Sequence, residues 1–234
     1  SSAANTMRKR RTLFMLMIWR MIARDGVEAG GMTYQQLATF TLMTGILSPM
    51  LDVRTPVSSW LHEGTLLSLY QRPMGVMTQL VSMTLGRWGT HLVFFSLPLY
   101  LLMPALGGSR LPASPWFLPS LCLAVTQGFL VDFLFACLIV RAANLSWQIE
   151  SLRRALTGLL TGAVIPFSLL PWGIGQALEL SPMGTLAGAT LSLYIGSGDA
   201  ARLLPAQAFW TAVLLPLSLY LFHKSTERMM SYGG

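Results

Sequence analysis

Residues 51–75 read LDVRTPVSSWLHEGTLLSLYQRPMG, and they form the one sizeable polar segment between the long apolar runs of this chain. The segment contains two prolines and five charged or titratable side chains, Asp52, Arg54, His62, Glu63 and Arg72. Within it, the pattern LHEGTL at 61–66 is long enough for one or two helical turns. We interpret it as a folded polar segment held on one side of a membrane, where it contacts a partner.

The composition argues against an ordinary soluble domain. Of the 234 residues, 53% are hydrophobic and only 11% are charged, and the mean hydropathy is +0.56. A soluble domain carries about 25% charged residues, so this chain has too few charges to cover a globular surface. Its apolar runs suit helices, which need about 20 residues to cross a bilayer and which satisfy their own backbone groups in lipid. We therefore expect an all-α integral membrane protein.

The apolar runs predict six transmembrane helices, at 12–23, 34–51, 77–103, 116–140, 155–170 and 205–222. Between the last two, prolines and glycines break up an apolar stretch, which predicts short re-entrant helices on the extracellular side at 171–198. The whole chain, 1–234, is expected to form a single transmembrane domain that includes the polar segment at 52–75. Since residue 1 is serine and not methionine, we expect part of the natural start to be missing.

Basic residues are unevenly divided between the two sides that six spans define. The side with both termini holds eleven, and the other side holds three, Arg24, Arg110 and Arg202. Positively charged flanks face the cytoplasm, so both termini are predicted to be cytoplasmic. The flanks also account for the net charge of +7, and we expect no nucleic-acid partner. The eleven are Arg8, Lys9, Arg10, Arg11, Arg54, Arg72, Arg141, Arg153, Arg154, Lys224 and Arg228.

The basic cluster at 8–11 has two interpretations. It is either a cytoplasmic flank near anionic lipid, which we favour, or a group that holds a phosphate-bearing substrate.

Residues suited to catalysis are scarce. The chain has no G-x-x-x-x-G-K-[ST] pattern, and its only lysines are Lys9 and Lys224, so it lacks the loop that binds nucleotide phosphates. Its three histidines are far apart in sequence, and none stands in a zinc-binding or nucleophile-activating pattern. We therefore expect no enzyme activity, no catalytic residue, no metal site and no cofactor in this chain.

Two charges are predicted to lie deep within neighbouring spans. Arg87 is eleven residues after Val76 and Asp132 nine residues before Arg141, which puts them roughly 17 Å and 14 Å from the same face. Consecutive spans are usually neighbours, and an unpaired charge inside a membrane costs several kcal/mol. We predict that Arg87 and Asp132 form a structural ion pair. In the alternative, Arg87 faces a wet cavity and hydroxyls such as that of Thr126 hold Asp132.

A G-x-x-x-G pattern joins Gly158 and Gly162 in the predicted fifth span. Two small residues at this spacing let helices approach closely. The pattern predicts helix packing, either within one subunit or between two subunits.

Several motifs in their order resemble one family. They are LDV at 51–53, LHEGTL at 61–66, LYQRP at 69–73, GR at 86–87, GAVIPFSLLP at 162–171 and the final GG at 233–234. From about Trp19 to Gly234 the chain is similar to the permease subunit of bacterial type-2 ABC exporters, the ABC-2 family transporter proteins. It departs from the family at its start, where the basic cluster at 8–11 stands in place of the first span.

The resemblance implies a cytoplasmic coupling helix between the second and third spans. It implies that a separate ATP-binding cassette ATPase, which binds ATP and Mg, docks on this helix. It also implies a second permease, either another copy or a homologue. The expected ATPase contacts are Ser59, Trp60, Leu61, His62, Glu63, Gly64, Thr65 and Leu66.

The same resemblance implies export of an apolar or amphipathic substrate, such as a lipid, natural product or drug, from the bacterial cytoplasmic membrane. The alternative is an ATP-independent secondary transporter or channel, a class that commonly places discontinuous helices and ion sites at mid-membrane depth.

Overall fold

A computed structural model describes residues 14–21, 31–57, 67–142, 145–162, 166–170 and 173–231. These parts of the chain contain helices and no β-strand. A π-helical turn at Leu92–Ser96 joins the helix at Val76–His91 to the one at Leu97–Leu102 without a break. The helices are α1 (14–21), α2 (Tyr34–Leu51), α3 (Leu67–Tyr70), α4 (Val76–His91), α5 (Leu97–Leu102), α6 (Phe117–Arg141), α7 (Ser146–Leu160), α8 (Ile174–Glu179), α9 (Gly184–Ile195) and α10 (Ala200–Ser231).

The prediction of an all-α chain is confirmed for the described residues. Within the part of the chain that the structure describes, two helices are long and apolar enough to cross a membrane, by length and composition, at Phe117–Arg141 and Ala200–Ser225. The predicted second span coincides with α2, and the predicted third span coincides with the continuous helix formed by α4, the π-helical turn and α5.

Helix α2 begins where its sequence predicts a cap. The Thr33 side chain accepts a hydrogen bond from the backbone N–H of Gln36, and the Gln36 side chain accepts one from the backbone N–H of Thr33, which is a capping box. Further along, Thr39, Thr41 and Thr44 each donate their hydroxyl to the carbonyl four residues earlier. These polar residues are therefore satisfied within an otherwise apolar helix.

The predicted fifth span at 155–170 is wrong. Helix α7 begins at Ser146, inside what the sequence suggested was a cytoplasmic link, and it ends at Leu160. Gly162 follows with φ +69°, the left-handed conformation that commonly terminates helices. Pro166 then leads into a short 3₁₀ turn at Phe167–Leu169. A glycine in this conformation and a proline soon after it stop the helix well short of residue 170.

Within the described chain, Gly158 and Gly162 do not pack as a pair against another helix, whereas a contact between two subunits stays a prediction. A Cβ atom added to Gly158 would meet nothing within 4 Å. Gly162 lies beyond the end of α7, and a Cβ there would come within 2.8 Å of the Phe167 ring. The two glycines therefore do not form one helical face.

This difference predicts opposite effects of alanine at the two sites. We expect Gly162→Ala to lower the free energy of unfolding by about 1–3 kcal/mol, because the positive φ and the Phe167 ring both oppose a side chain. We expect Gly158→Ala to be neutral or to stabilise by up to about 1 kcal/mol, since alanine is the better helix former. Thermal unfolding of the purified variants in detergent measures both effects. Strong destabilisation by Gly158→Ala would indicate instead that Gly158 packs against another subunit.

The two short helices predicted after residue 171 are present, and the second lies inside the bundle. Helix α9 is buried along nearly its whole length, and it packs against α2, α6 and α10. Its Thr190 hydroxyl lies 3.0 Å from that of Ser120 in the first turn of α6. Its Thr185 hydroxyl donates to the side-chain carbonyl of Gln127 at 3.3 Å.

These contacts set the depth of α9 within the bundle. Gln127 is ten residues beyond Phe117, the first residue of α6, which corresponds to about 15 Å along the helix. Helix α9 therefore begins near the middle of the bundle and runs antiparallel to α6 towards its start. A re-entrant helix would also reach this depth, and the extracellular placement of the region at 171–198 stays a prediction.

Two fully buried glutamines fasten α9 to the long helices. The Gln127 amide donates to the backbone carbonyl of Gln207 in α10 at 2.8 Å. The Gln207 amide in turn donates to the backbone carbonyl of Thr185 in α9 at 2.8 Å. Because buried polar groups are costly unless they are bonded, this network specifies how α6, α9 and α10 pack together.

Candidate functional site

A buried ion pair joins α6 to α7. The Arg153 guanidinium lies 2.5 Å from a carboxylate oxygen of Asp132, and the two side chains are only 6% and 3% exposed. Asp132 stands nine residues before the end of α6 and Arg153 stands in the middle of α7. The Arg153 guanidinium also lies over the Phe135 ring, 5.6 Å from its centre, which adds a favourable cation–π contact.

The same ion pair also forms hydrogen bonds with residues 53–55, which follow α2. The backbone N–H of Thr55 donates to Asp132 Oδ2 at 3.0 Å, and the Thr55 hydroxyl donates to the same oxygen. Arg153 donates a second bond, of 2.5 Å, to the backbone carbonyl of Val53. We call Val53, Thr55, Asp132 and Arg153 the clasp. It ties residues 53–55 to both α6 and α7 through bonds to charged groups, which are the stronger hydrogen bonds.

A second, more exposed group of charges surrounds the clasp. Arg54 binds the carboxylate of Asp52 at 2.9 Å and that of Glu150 at 2.8 Å. Burial acts to lower the pKa of Arg54, but the nearby carboxylates of Asp52, Glu150 and Asp132 outweigh it, and the pKa is raised. Arg54 therefore stays charged across the physiological range of pH.

A cavity of about 230 Å³ opens between these groups. Two arginines and two acids line it together with apolar side chains, so its charges balance. Besides the charged side chains, the lining contains one polar side chain, that of Thr55, whose hydroxyl is bonded to Asp132. The lining residues are Arg54, Thr55, Val57, Asp132, Ala136, Ile139, Glu150 and Arg153.

The predicted pair between Arg87 and Asp132 does not form. Asp132 is neutralised by Arg153, and Arg87 is exposed on α4. Asp132 does lie buried against a basic partner, as its depth predicts. The partner differs from the predicted one, because similar depth does not decide which side of a helix faces which neighbour.

The sequence contained a signal for Arg153 that the prediction missed. Ile149, Arg153 and Leu156 follow one another at helical spacing, and in the structure all three lie on the side of α7 that packs into the protein. An arginine within such a stripe predicts a buried acidic partner. Its charge alone favours a cytoplasmic flank, and the predicted span begins only after it, at residue 155.

The predicted ATPase contacts at 59–66 lie outside the described residues. The structure describes the chain on both sides of them. On one side the clasp holds residues 53–55. On the other, the buried amide of Gln79 in α4 donates to the backbone carbonyls of Leu69 at 2.9 Å and Met74 at 2.7 Å. Both flanks of the predicted coupling segment are thus fixed to the helices by buried polar groups.

Comparison with known proteins found no matching family model, no matching curated protein and no matching solved structure.

Proposed function

We propose that this chain is the permease subunit of a two-component ABC exporter in a bacterial cytoplasmic membrane. A separate ATPase supplies the energy from ATP and Mg, and a second permease, identical or homologous, completes the path. The cargo is an apolar or amphipathic molecule. The family resemblance of the motifs at 51–73 and 162–171 supports this proposal, as do the apolar helices α6 and α10.

The clasp is the observation that carries the proposal. A permease driven by a separate ATPase needs a rigid connection between the docking segment and the helices that move. Here the chain entering 58–66 is bonded to Asp132 and Arg153, on two different helices of the bundle. Displacement of that segment would therefore be passed directly to α6 and α7 and would not be lost in a flexible linker.

The six-span arrangement belongs to the same proposal, in a modified form. The continuous helix at 76–102 is about 40 Å long, enough to cross a bilayer. The fifth crossing would consist of α7 and α9 in series, with α8 between them at the depth of the bundle interior. A break in a helix at that depth is tolerated where other parts of the protein shield it from lipid. Helix α9 is shielded by α2, α6 and α10.

Two substitutions test the proposed coupling. We expect Glu63→Arg to reduce co-purification of the partner ATPase, because it reverses a charge at the proposed contact. We expect Thr55→Val to leave the ATPase bound and to lower ATP-driven transport roughly tenfold, since it removes a hydrogen bond to a buried carboxylate. Transport in proteoliposomes and ATPase retention on the tagged permease are measured together.

The matched control is Thr126→Val, because the Thr126 hydroxyl is exposed on α6 and donates only to the carbonyl of Cys122 in its own helix. It should transport at the normal rate. The coupling proposal is abandoned if Glu63→Arg and Thr55→Val both behave like this control.

One observation favours a second candidate, an ATP-independent secondary transporter. The break between α7 and α9 lies at the depth of the buried amides Gln127 and Gln207, and discontinuous helices at mid-depth are typical of that class. Reconstitution of the chain alone distinguishes the candidates. Transport driven by an ion gradient without any ATPase would support the secondary transporter and exclude the exporter.

A further inference from the structure

Arg87 is a single charge in the middle of a long apolar helix. It is the only Asp, Glu, Lys or Arg in residues 76–102. It lies eleven residues from Val76 and fifteen from Leu102, the two ends of the continuous helix. The neighbouring Trp88 stacks on Phe129, with ring centres 5.8 Å apart, and Phe129 is the central residue of α6. Arg87 therefore lies near the middle of the bundle.

The Arg87 side chain is exposed, and within the described residues it makes no hydrogen bond or ion pair. Arginines near helix ends extend their guanidinium to the membrane surface, but Arg87 is too far from either end of its helix for that. Given the membrane placement proposed above, on which this inference rests, an uncompensated guanidinium facing acyl chains would be strongly unfavourable.

The surface around Arg87 is unlike a lipid-facing surface. Exposed small or polar residues recur along this part of the helix, together with Leu85, which is 46% exposed. A Cβ atom on Gly86, next to Arg87, would meet nothing within 4 Å. The next turns of the same helix expose large apolar side chains, among them Val93, Phe94 and Leu97. The small and polar residues are Thr78, Ser82, Gly86, Gly89 and Thr90. The helix thus has a polar, open half and an apolar half.

A second copy of this chain does not supply the missing negative charge from its described residues. Asp132 is buried against Arg153, and Asp52 and Glu150 are bound to Arg54. Glu179 lies near Arg202, and Asp199 accepts a hydrogen bond from the backbone N–H of Ala201 at 2.9 Å, so both acids lie near the start of α10 and away from its middle. In a dimer with its twofold axis along the membrane normal, equivalent residues lie at equal depth, so the two Arg87 side chains would lie at the same level and would not neutralise each other.

We propose that Arg87 binds the phosphate-type headgroup of an anionic amphipathic ligand that enters from the membrane. The guanidinium pairs with phosphate oxygens through two parallel hydrogen bonds. The open surface at Gly86, next to Arg87, admits the headgroup, and the apolar tail lies along Val93, Phe94 and Leu97. This assigns the cargo, or a lipid that accompanies it, to the anionic class.

Lipid retention by the purified full chain tests the assignment. The protein is incubated with equal amounts of phosphatidylglycerol and phosphatidylcholine in detergent, and bound lipids are counted by native mass spectrometry. We expect selective retention of phosphatidylglycerol, a roughly tenfold weaker retention in Arg87→Gln, and substantial retention in Arg87→Lys. Arg72→Gln is the matched control, because it removes an exposed arginine just before α4, at the level of ordinary headgroups.

Equal losses in Arg72→Gln and Arg87→Gln would overturn the proposal, because binding would then reflect general surface charge. Displacement of the lipid by millimolar inorganic phosphate would also overturn it, since the ligand would then be a soluble anion. Retention that withstands phosphate and depends on Arg87 alone supports it.

A separate measurement distinguishes failure of this inference from failure of the proposed function. Leu97→Cys, in a chain with Cys122 and Cys137 replaced by serine, is exposed to a membrane-impermeant maleimide in intact cells. Ready labelling would place the helix in water and contradict the membrane arrangement and this inference together. Protection of Leu97→Cys without selective lipid retention would contradict the Arg87 assignment alone.

Discussion

Replacing Arg153 by leucine is expected to lower the free energy of unfolding by about 3–5 kcal/mol, because it leaves the Asp132 carboxylate buried without its partner. The same substitution removes the hydrogen bond to Val53 and the contact with Phe135. Thermal and chemical unfolding of the purified protein in detergent measure the loss, together with the yield of folded monodisperse protein.

Arg154→Leu is the control, since the neighbouring Arg154 is 56% exposed and its pair with Glu150 is long, at 3.7 Å. Exposed pairs of this kind contribute less than about 1 kcal/mol. The double variant Asp132→Leu with Arg153→Leu should be more stable than either single variant, because it removes both buried charges. If Arg153→Leu unfolds at the same point as Arg154→Leu, the buried pair does not stabilise the fold.

Gly184→Ala is expected to cost about 3 kcal/mol or more, or to prevent folding. A Cβ atom at this position would lie 1.8 Å from the carbonyl oxygen of Leu178 and 2.7 Å from its carbon. These are backbone atoms at the end of α8, so no side-chain rotation relieves the clash. The first turn of α9 would have to move away from α8, and its contacts with α6 and α10 would move with it.

The fraction of Gly184→Ala recovered as folded protein and its unfolding temperature measure this effect. Gly158→Ala serves as the control, since its added methyl group meets no neighbour within 4 Å. Equal behaviour of the two alanine variants would mean that α8 and α9 do not pack as closely as described.

The sequence was sufficient to predict the elements whose limits depend on local interactions. Helix α2 coincides with the predicted span because Thr33 and Gln36 form a cap at its start. Helix α6 differs from its predicted span by one residue at each end, since its polar residues and Gly128 are scattered in a long apolar run and Pro119 falls in the first turn, where proline is tolerated.

Errors arose where a position depends on contacts between distant residues. The start of α7 was placed too late because Arg153 and Arg154 were interpreted as flanking charges. Arg153 is stable in the interior only because Asp132, on another helix, neutralises it. The partner of Asp132 was wrong for a related reason. Depth along a helix follows from counting residues, whereas the direction in which a side chain points depends on how the helices are rotated against each other.

The sequence predicts the short helices after Gly162 but not the burial of the second one. Its prolines and glycines correctly indicated short helices, which are found at Ile174–Glu179 and Gly184–Ile195. The burial of α9 was not predictable from its own residues. It depends on hydrogen bonds to Gln127 and Gln207, two polar residues that the sequence analysis did not distinguish from others within spans.

The buried position of α9 has a consequence for the order in which the protein assembles. Its 12 residues are about 18 Å long, too short to insert into a bilayer as an independent helix. Its neighbours α2 and α6 are synthesised before it and α10 after it. During synthesis one side of α9 therefore remains unpacked until α10 has been made and packs against it. Truncation before α10 would leave α9 without the helix that covers it. A late step of assembly, the packing of α10, therefore decides whether the chain reaches its folded state or is degraded.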